Sequence, residues 1–185
     1  KTDEYFRYGG KRYDYSGGNP WGGISADVDR KILYVSTGNA GRFYEGTTRP
    51  GSNKYSNSLL AIDVENDKLL WEFQEISHDI WNYDIASPPI LTSIKKEDKL
   101  IDVVVVPTKF GNTLVLDRKT GNNIFEYTNI KVPLSNVPGE KTSYYQKIFS
   151  LPEPFTNLFF EESHITDLSK KSYETVKEKI KDASY

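Results

Sequence analysis

Two stretches with the same pattern determine the fold that the sequence predicts: SLLAIDVENDKLLWEF at residues 58–73 and NTLVLDRKTGNNIFEY at residues 112–127. Their aspartates are 54 residues apart (117 − 63), and so are Trp71 and Phe125 (125 − 71). Each copy is typical of a strand, a turn that begins at an aspartate, a second strand and an aromatic residue. A hairpin repeat of this period indicates propeller blades, whose sheets stack around a common axis.

The shared residues have expected roles in such a blade. Asp63 and Asp117 are expected to accept hydrogen bonds from backbone N–H groups of their own turns. Trp71 and Phe125 are expected to pack between neighbouring sheets. Two similar hairpins in a β-sandwich are the alternative. The propeller is favoured because repeated sheets that cannot bury both faces alone need stacked neighbours.

The rest of the chain extends this pattern in both directions. Alternating apolar residues predict blade-like units at 17–75 and 86–130, with strands at 22–28, 31–37, 57–63, 68–74, 88–94, 100–107, 112–117 and 122–127. The loop between the second and third strands is long, which is typical of functional or mobile segments. An irregular, Pro-rich insertion is predicted over 131–168 and a helix over 169–182.

Composition excludes several classes of protein. The 185 residues include 24 basic and 26 acidic side chains, and the net charge of −2 gives no sign of a nucleic-acid or membrane surface. The absence of cysteine excludes disulfides and thiolate metal sites within the chain. The chain opens with KTDEYFRYGG and contains no methionine, which predicts an internal fragment. About two blades cannot close a ring of the roughly 4–8 blades that a propeller needs.

Four segments, in this order and spacing, resemble the PQQ-dependent (quinoprotein) alcohol and glucose dehydrogenases. They are NPWGGISADVDRKILYVSTGN (19–39), RPGSNKYSNSLLAIDVENDKLLWEFQ (49–74), HDIWNYD (78–84) and PTKFGNTLVLDRKTG (107–121). The likeness runs from about Gly17 to Pro154. It implies an all-β chain, a portion of about two blades of an eight-bladed β-propeller, with pyrroloquinoline quinone and a divalent or trivalent metal near the axis. The predicted partial propeller domain covers residues 1–185.

The resemblance assigns three residues to cofactor and metal. Trp21 matches the tryptophan that forms the floor beneath the quinone, where a flat ring stacks well; an ordinary core tryptophan is the alternative. Asn39 matches a metal-ligating asparagine, whose amide oxygen suits Ca²⁺, although Gly-Asn is also a turn signal. Lys109 matches a basic residue that hydrogen-bonds the quinone oxygens, and a solvated surface lysine is its alternative.

The segment HDIWNYD carries the main departure from the family. The family has an aspartate, the proposed catalytic base, at the position of Asn82. An amide can ligate a metal but cannot take a proton. Asp84 could therefore supply the base, the anionic ligand or both. On a strand, positions 82 and 84 would face the same side.

Two aromatic residues are assigned to the substrate cavity by the same resemblance, Phe43 and Trp81. His78 is expected to act as support by donating a hydrogen bond to a backbone carbonyl or a carboxylate.

The resemblance implies oxidation of an alcohol, sugar or polyol by hydride transfer to PQQ with metal assistance. Ca²⁺ is the expected metal and a lanthanide the alternative, with a further glutamate ligand upstream. Electrons would pass to cytochrome c or ubiquinone, in the bacterial periplasm. The isolated fragment, which needs the remaining blades, is expected to be inactive. Two alternatives stay open: a non-catalytic propeller scaffold, and a degenerate dehydrogenase that lost its base at Asn82.

Overall fold

The structure of this chain is a computed structural model that describes residues 7–8, 11–12, 16–157 and 160–182. The other positions of the predicted 1–185 domain lie outside the described residues. The chain divides into two compact units, one ending at Phe155 and one beginning at Thr156. Antiparallel sheets make up the first unit, as the all-β prediction requires.

The first blade-like unit contains a four-stranded antiparallel meander, in which strands that follow one another in sequence are hydrogen-bonded neighbours. Its strands are β3 (Ile24–Asp27), β4 (Ile32–Ser36), β5 (Ser58–Asp63) and β6 (Lys68–Gln74). Two short strands, β1 (Arg7–Tyr8) and β2 (Lys11–Arg12), pair ahead of it. All four predicted strands of this unit are confirmed, with ends that shift by one or a few residues.

The second blade-like unit is a three-stranded sheet of β7 (Ile90–Lys96), β8 (Lys99–Pro107) and β9 (Thr113–Asp117). The strand predicted at 122–127 is wrong, because only an isolated bridge joins Asn123 to Leu116. Two consecutive asparagines after a glycine pair poorly in a sheet. The chain instead leaves this edge and forms β10 (Tyr127–Lys131) with β11 (Tyr145–Phe149). The 131–168 segment, predicted to be irregular, thus contains a strand.

The two aspartate-led turns form as expected. Asp63 Oδ1 accepts hydrogen bonds from the backbone N–H groups of Glu65 at 2.9 Å and Asn66 at 3.1 Å. Asp117 Oδ1 accepts from Lys119 at 2.9 Å and from Thr120 at 2.8 Å. The shared carboxylate therefore fixes the same turn in both copies of the repeat.

Trp71 joins the first sheet to the second. It is 9% exposed, and its Nε1 donates to the carbonyl oxygen of Arg118 in the second sheet's turn at 3.2 Å. Tyr34 Oη donates to the same carbonyl at 3.0 Å, and the two rings lie 5.8 Å apart. The prediction that Trp71 packs between sheets is confirmed. The same role for Phe125, which is half-buried, stays a prediction.

A network of charges fastens the same two sheets along their other edge. Asp27 is 8% exposed and forms salt bridges with Arg30 at 2.8 Å and with Arg118 at 2.9 Å. Arg30 also pairs with Asp102 on β8. Burial by itself raises the pKa of Asp27, but hydrogen bonds from Arg30 and Arg118 outweigh it and lower the pKa to about 2.

Replacing Asp27 with asparagine is expected to destabilise the fold by about 3 kcal/mol, because Arg118 loses its buried counter-charge. The depressed pKa of Asp27 adds a pH signature. The stabilisation of the fold by the Asp27 carboxylate is complete above pH 3.8, the ordinary pKa of an aspartate. It is lost as the pH falls towards about 2, the pKa of Asp27 in the folded protein. The acid side of the thermal-unfolding profile should therefore be flatter in the variant. The exposed Lys95–Asp98 pair is the matched control, and Asp98→Asn should change stability by less than about 1 kcal/mol. Equal effects of the two variants contradict the prediction.

The second unit contains a short 3₁₀ helix at Glu162–His164 and one α-helix, α1 (Lys170–Ile180). Ser169 caps the helix by accepting a hydrogen bond from the Ser172 N–H at 3.0 Å. The predicted helix is confirmed, with ends inside the predicted 169–182. Across the residues that the structure describes, no helix has the length and apolar character needed to cross a membrane.

Candidate active site

Asp84 lies at the centre of the residues that the resemblance assigns to the site. Its carboxyl group is nearly buried, with 6% of the residue exposed. Oδ1 accepts a hydrogen bond from the backbone N–H of Asn39 at 2.7 Å and a longer one from Trp21 Nε1 at 3.4 Å. Oδ2 faces Lys109 Nζ at 3.7 Å. One carboxylate thus contacts three residues that are far apart in sequence.

Asn39 presents an oxygen that the protein itself does not satisfy. The residue is 1% exposed, and its Nδ2 donates to the carbonyl oxygen of Phe43 at 3.2 Å. Its Oδ1 is buried and has no hydrogen-bond partner among the residues that the structure describes. Leaving such an acceptor unpaired costs about 1–3 kcal/mol. A buried amide oxygen without a donor, beside a carboxylate, fits a hard cation.

Gly38 lets these groups approach one another. A Cβ at this position would lie 2.5 Å from Asp84 Oδ1 and 2.6 Å from Trp21 Nε1. Any side chain would therefore displace the carboxylate or the indole. Trp21 itself is 62% exposed, so most of its side chain is accessible to a ligand.

Lys109 extends from a tight turn between β8 and β9. The Thr108 N–H donates to the carbonyl oxygen of Asn112 at 2.8 Å, and the Gly111 N–H donates to that of Thr108 at 3.0 Å. Gly111 has φ of +100°, a conformation that glycine adopts without strain. The lysine side chain is 46% exposed, so its ammonium group can reach both Asp84 and a ligand above it.

The segment HDIWNYD is irregular rather than a strand, so the expectation that positions 82 and 84 share a strand face is wrong. The physical cause is Asp79, whose side chain folds the segment around itself. Its two carboxylate oxygens accept from the backbone N–H groups of Trp81 at 2.7 Å and Tyr83 at 2.6 Å. Asn57 Nδ2 donates to the same carboxylate at 2.8 Å. The first aspartate of the segment is thus structural, and Asp84 faces the site.

His78 acts as the predicted support. It is 3% exposed, and its Nδ1 lies 2.6 Å from the carbonyl oxygen of Gly51. Since a carbonyl can only accept, Nδ1 carries the proton. Burial lowers the pKa of His78, which favours the neutral ring. The histidine therefore anchors the long loop of residues 38–56 to the HDIWNYD segment.

Three further predicted residues lie near this cluster in sequence, and among the described residues none of their side chains forms a hydrogen bond with it. Asn82 is half-buried with φ of +60°, and among the described residues its side chain forms no hydrogen bond. Phe43 is 48% exposed and Trp81 is 69% exposed. Phe43 is tied to the cluster only through its carbonyl group.

Two buried charged residues were not singled out from the sequence. Arg49 is 2% exposed and donates to the Asp79 carbonyl at 2.6 Å, which holds the long loop in place. Glu75 is completely buried and accepts hydrogen bonds from both ends of the Lys109 turn. Neither has a sequence signal of its own, because charged residues at a loop and at a strand end are ordinarily exposed.

Comparison with known proteins places the chain in a family. The family described as "Glucose/ethanol/alcohol dehydrogenase, beta-propeller domain", designated PQQ, matches residues 2–185. The chain is 34% identical to quinoprotein glucose dehydrogenase A of Acinetobacter calcoaceticus over 151 residues. This aligned region covers 80% of this chain and 19% of that protein. The chain thus spans about a fifth of that relative's length.

Two solved structures share the fold. Quinohemoprotein alcohol dehydrogenase from Comamonas testosteroni superposes with a TM-score of 0.57 at 31% identity, over 72% of this chain and 20% of that one. A europium-containing methanol dehydrogenase gives a TM-score of 0.55 at 32% identity, over 58% of this chain and 19% of that one. These matches confirm the predicted propeller, of which the chain covers only a part. The chain belongs to the β-propeller family of PQQ-dependent glucose, ethanol and alcohol dehydrogenases.

Proposed function

We propose that this chain supplies part of the active site of a quinoprotein dehydrogenase that oxidises an alcohol, sugar or polyol. The observation that carries the proposal is the unpartnered, buried Oδ1 of Asn39, next to Asp84. Asn57 and Asn112 also have buried amide oxygens without a partner among the described residues, but the Asn39 backbone N–H contacts Asp84, the carboxylate at the centre of the site. A bound cation would remove the cost of leaving the Asn39 oxygen unsatisfied.

The residues present fit both the metal and the quinone. Asn39 and Asp84 offer hard oxygen ligands, which suit Ca²⁺ or a lanthanide. Trp21 offers an accessible aromatic ring for stacking. Within the part of the chain that the structure describes, no three His, Cys, Asp or Glu side chains form a metal cluster. The glutamate ligand expected from outside this chain stays a prediction.

PQQ, held over Trp21, would supply the hydride acceptor, and a metal held by Asn39 and Asp84 would supply a Lewis acid. Asp84 Oδ2 is the atom proposed to take the substrate's hydroxyl proton, because Oδ1 already accepts from Asn39 and Trp21. Lys109 Nζ, 3.7 Å from Oδ2, donates to the quinone oxygens and stabilises the negative charge that develops there. Phe43 and Trp81 line the substrate side.

Asn82 supports a second candidate, a degenerate dehydrogenase. It occupies the family's aspartate position, and its amide cannot act as a base. Within the described residues, Asp84 is the carboxylate that contacts Asn39, Trp21 and Lys109, which favours the active enzyme. Electron transfer to cytochrome c or ubiquinone, completion of the ring by further blades, and a periplasmic location remain parts of the proposal.

Asn39→Ala tests the proposed metal role. In the whole protein, stripped of cofactor and reconstituted with PQQ, the variant should bind Ca²⁺ or La³⁺ at least about tenfold more weakly. Its thermal stability without metal should change little, since the unsatisfied buried oxygen and the Nδ2 hydrogen bond to the Phe43 carbonyl are removed together. Metal titration followed by dye-linked oxidation of an alcohol or aldose measures both binding and function. Asn136→Ala, at an exposed position in the segment between β10 and β11, is the control. Unchanged metal affinity in Asn39→Ala argues against the proposal.

A further inference from the structure

Glu75 is a buried carboxyl group that the proposed reaction does not use. It follows the last residue of β6 and is 0% exposed. Its backbone N–H donates to the carbonyl oxygen of Asn57 at 2.9 Å. Burying a carboxyl group this completely is costly unless it is neutral or well paired, so its position requires an explanation.

Both polar partners of Glu75 flank the cationic residue of the site. Thr108 Oγ1 donates to Glu75 Oε1 at 2.9 Å, and Asn112 Nδ2 donates to the same oxygen at 2.8 Å. These two residues are the first and last of the five-residue turn that carries Lys109. One oxygen atom therefore ties together both ends of the turn.

We propose that Glu75 is a positioning residue for Lys109: its buried carboxyl group fixes the turn that holds the lysine ammonium group beside Asp84. The inference rests on the proposed function, because Lys109 has a quinone to contact only in a quinoprotein. Glu75 does not touch the reacting atoms and acts only through the turn. The turn has two backbone hydrogen bonds of its own, the Phe155 N–H donates to the Gly111 carbonyl at 2.9 Å, and the Phe110 ring lies 4.8 Å from that of Tyr83. Glu75 adds the side-chain link between Thr108 and Asn112.

The charge state of Glu75 follows from its surroundings. Burial raises its pKa to about 7, although hydrogen bonds from Asn112 and Thr108 lower it. From the neighbouring elements, Asp79 raises the pKa and Lys147 on β11 lowers it. Oε2 is buried and has no hydrogen-bond partner in the described part of the chain. Since Oε1 accepts both hydrogen bonds, a proton on this carboxyl group resides on Oε2.

Opening of the turn must therefore release a proton over a defined pH range. In the open state the Glu75 carboxyl group is exposed and ionises near its ordinary pKa of 4.5, whereas in the closed state it ionises near 7. Between these values opening becomes easier by up to about tenfold per pH unit. Above pH 7 both states are ionised and the dependence ends.

The experiment is hydrogen exchange of the backbone amides of residues 107–113 in the whole protein, expressed as protection relative to the intrinsic rate. Wild type should lose protection as the pH rises from 4.5 to 7 and then level off. Glu75→Gln keeps an oxygen acceptor and a donor of the same shape, so its protection should be flat. Glu72→Gln, a glutamate on the outer part of β6 paired with Lys54, is the matched control and should retain the wild-type slope.

Cofactor binding supplies the second readout. Glu75→Ala should weaken PQQ binding by about tenfold, whereas Glu75→Gln at low pH should match wild type. A flat wild-type exchange profile, or a slope that Glu75→Gln retains, overturns the inference even if Glu75→Ala fails to fold. PQQ affinity that is unchanged in a folded Glu75→Ala also overturns it. Wild type that binds no PQQ rejects the proposed function, while the exchange profile still decides whether Glu75 holds the turn.

Discussion

Replacing Asp84 with asparagine is expected to lower the turnover of the whole protein by about 10²–10⁴-fold, with PQQ and metal at saturation. The substitution preserves shape but removes the only atom proposed to take the hydroxyl proton, Oδ2. It also places an amide opposite Lys109 Nζ, which lies 3.7 Å away. Steady-state kinetics at saturating alcohol or aldose measures the loss, with metal content checked in each sample.

The matched substitution is Asn82→Asp, which introduces the aspartate that the resemblance assigns to this position. If Asp84 is the working carboxylate, Asn82→Asp should change turnover by less than about tenfold, and the double variant should remain as slow as Asp84→Asn. A large gain from Asn82→Asp, together with full activity of Asp84→Asn, reverses the assignment. That result means the natural chain is a degenerate enzyme.

The strands of the first sheet were predictable because their signals are local. Alternating apolar residues define β3 to β6, and Asp63 fixes the turn between β5 and β6 through neighbouring backbone N–H groups, as Asp117 does after β9. The failure at 122–127 has a local and a non-local cause. Asn122 and Asn123 pair poorly in a sheet. The chain then leaves β9 for β11, which begins 14 residues after the end of β10 (145 − 131), and no local pattern identifies that partner.

The site was predictable as a set of residue types but not as a geometry. The resemblance placed Trp21, Asn39, Asp84 and Lys109, and the structure brings all four together. The resemblance could not show that hydrogen bonds to the Asp79 side chain keep the HDIWNYD segment from forming a strand. The irregular shape of the segment depends on the backbone N–H groups of Trp81 and Tyr83. They donate to the Asp79 carboxylate, and these bonds compete with the backbone hydrogen bonds of a sheet.

Trp71→Ala is expected to cause the largest loss of stability, about 4 kcal/mol. The ring is 9% exposed, packs against Tyr34, and donates a hydrogen bond to the second sheet. Its removal leaves a cavity at the junction of the two sheets and not within one of them. Trp71→Phe is the control, because it keeps most of the packing and loses chiefly the Nε1 hydrogen bond, at about 1 kcal/mol. Denaturation of the whole protein by urea compares the two.

Gly121→Ala tests whether the junction of the two sheets depends on close contact between Gly121 and the Trp71 indole. A Cβ at this position would lie 2.6 Å from Trp71 Cδ2, and the backbone has φ of +73°. Gly121→Ala in the wild type should therefore suffer both the clash and the left-handed strain, whereas in Trp71→Ala only the strain of about 1–2 kcal/mol remains. The double-mutant cycle should thus show that the two losses are less than additive. Strict additivity would mean that the turn and the ring stabilise the junction independently, and that another contact, such as the Asp27–Arg118 pair, holds the sheets together.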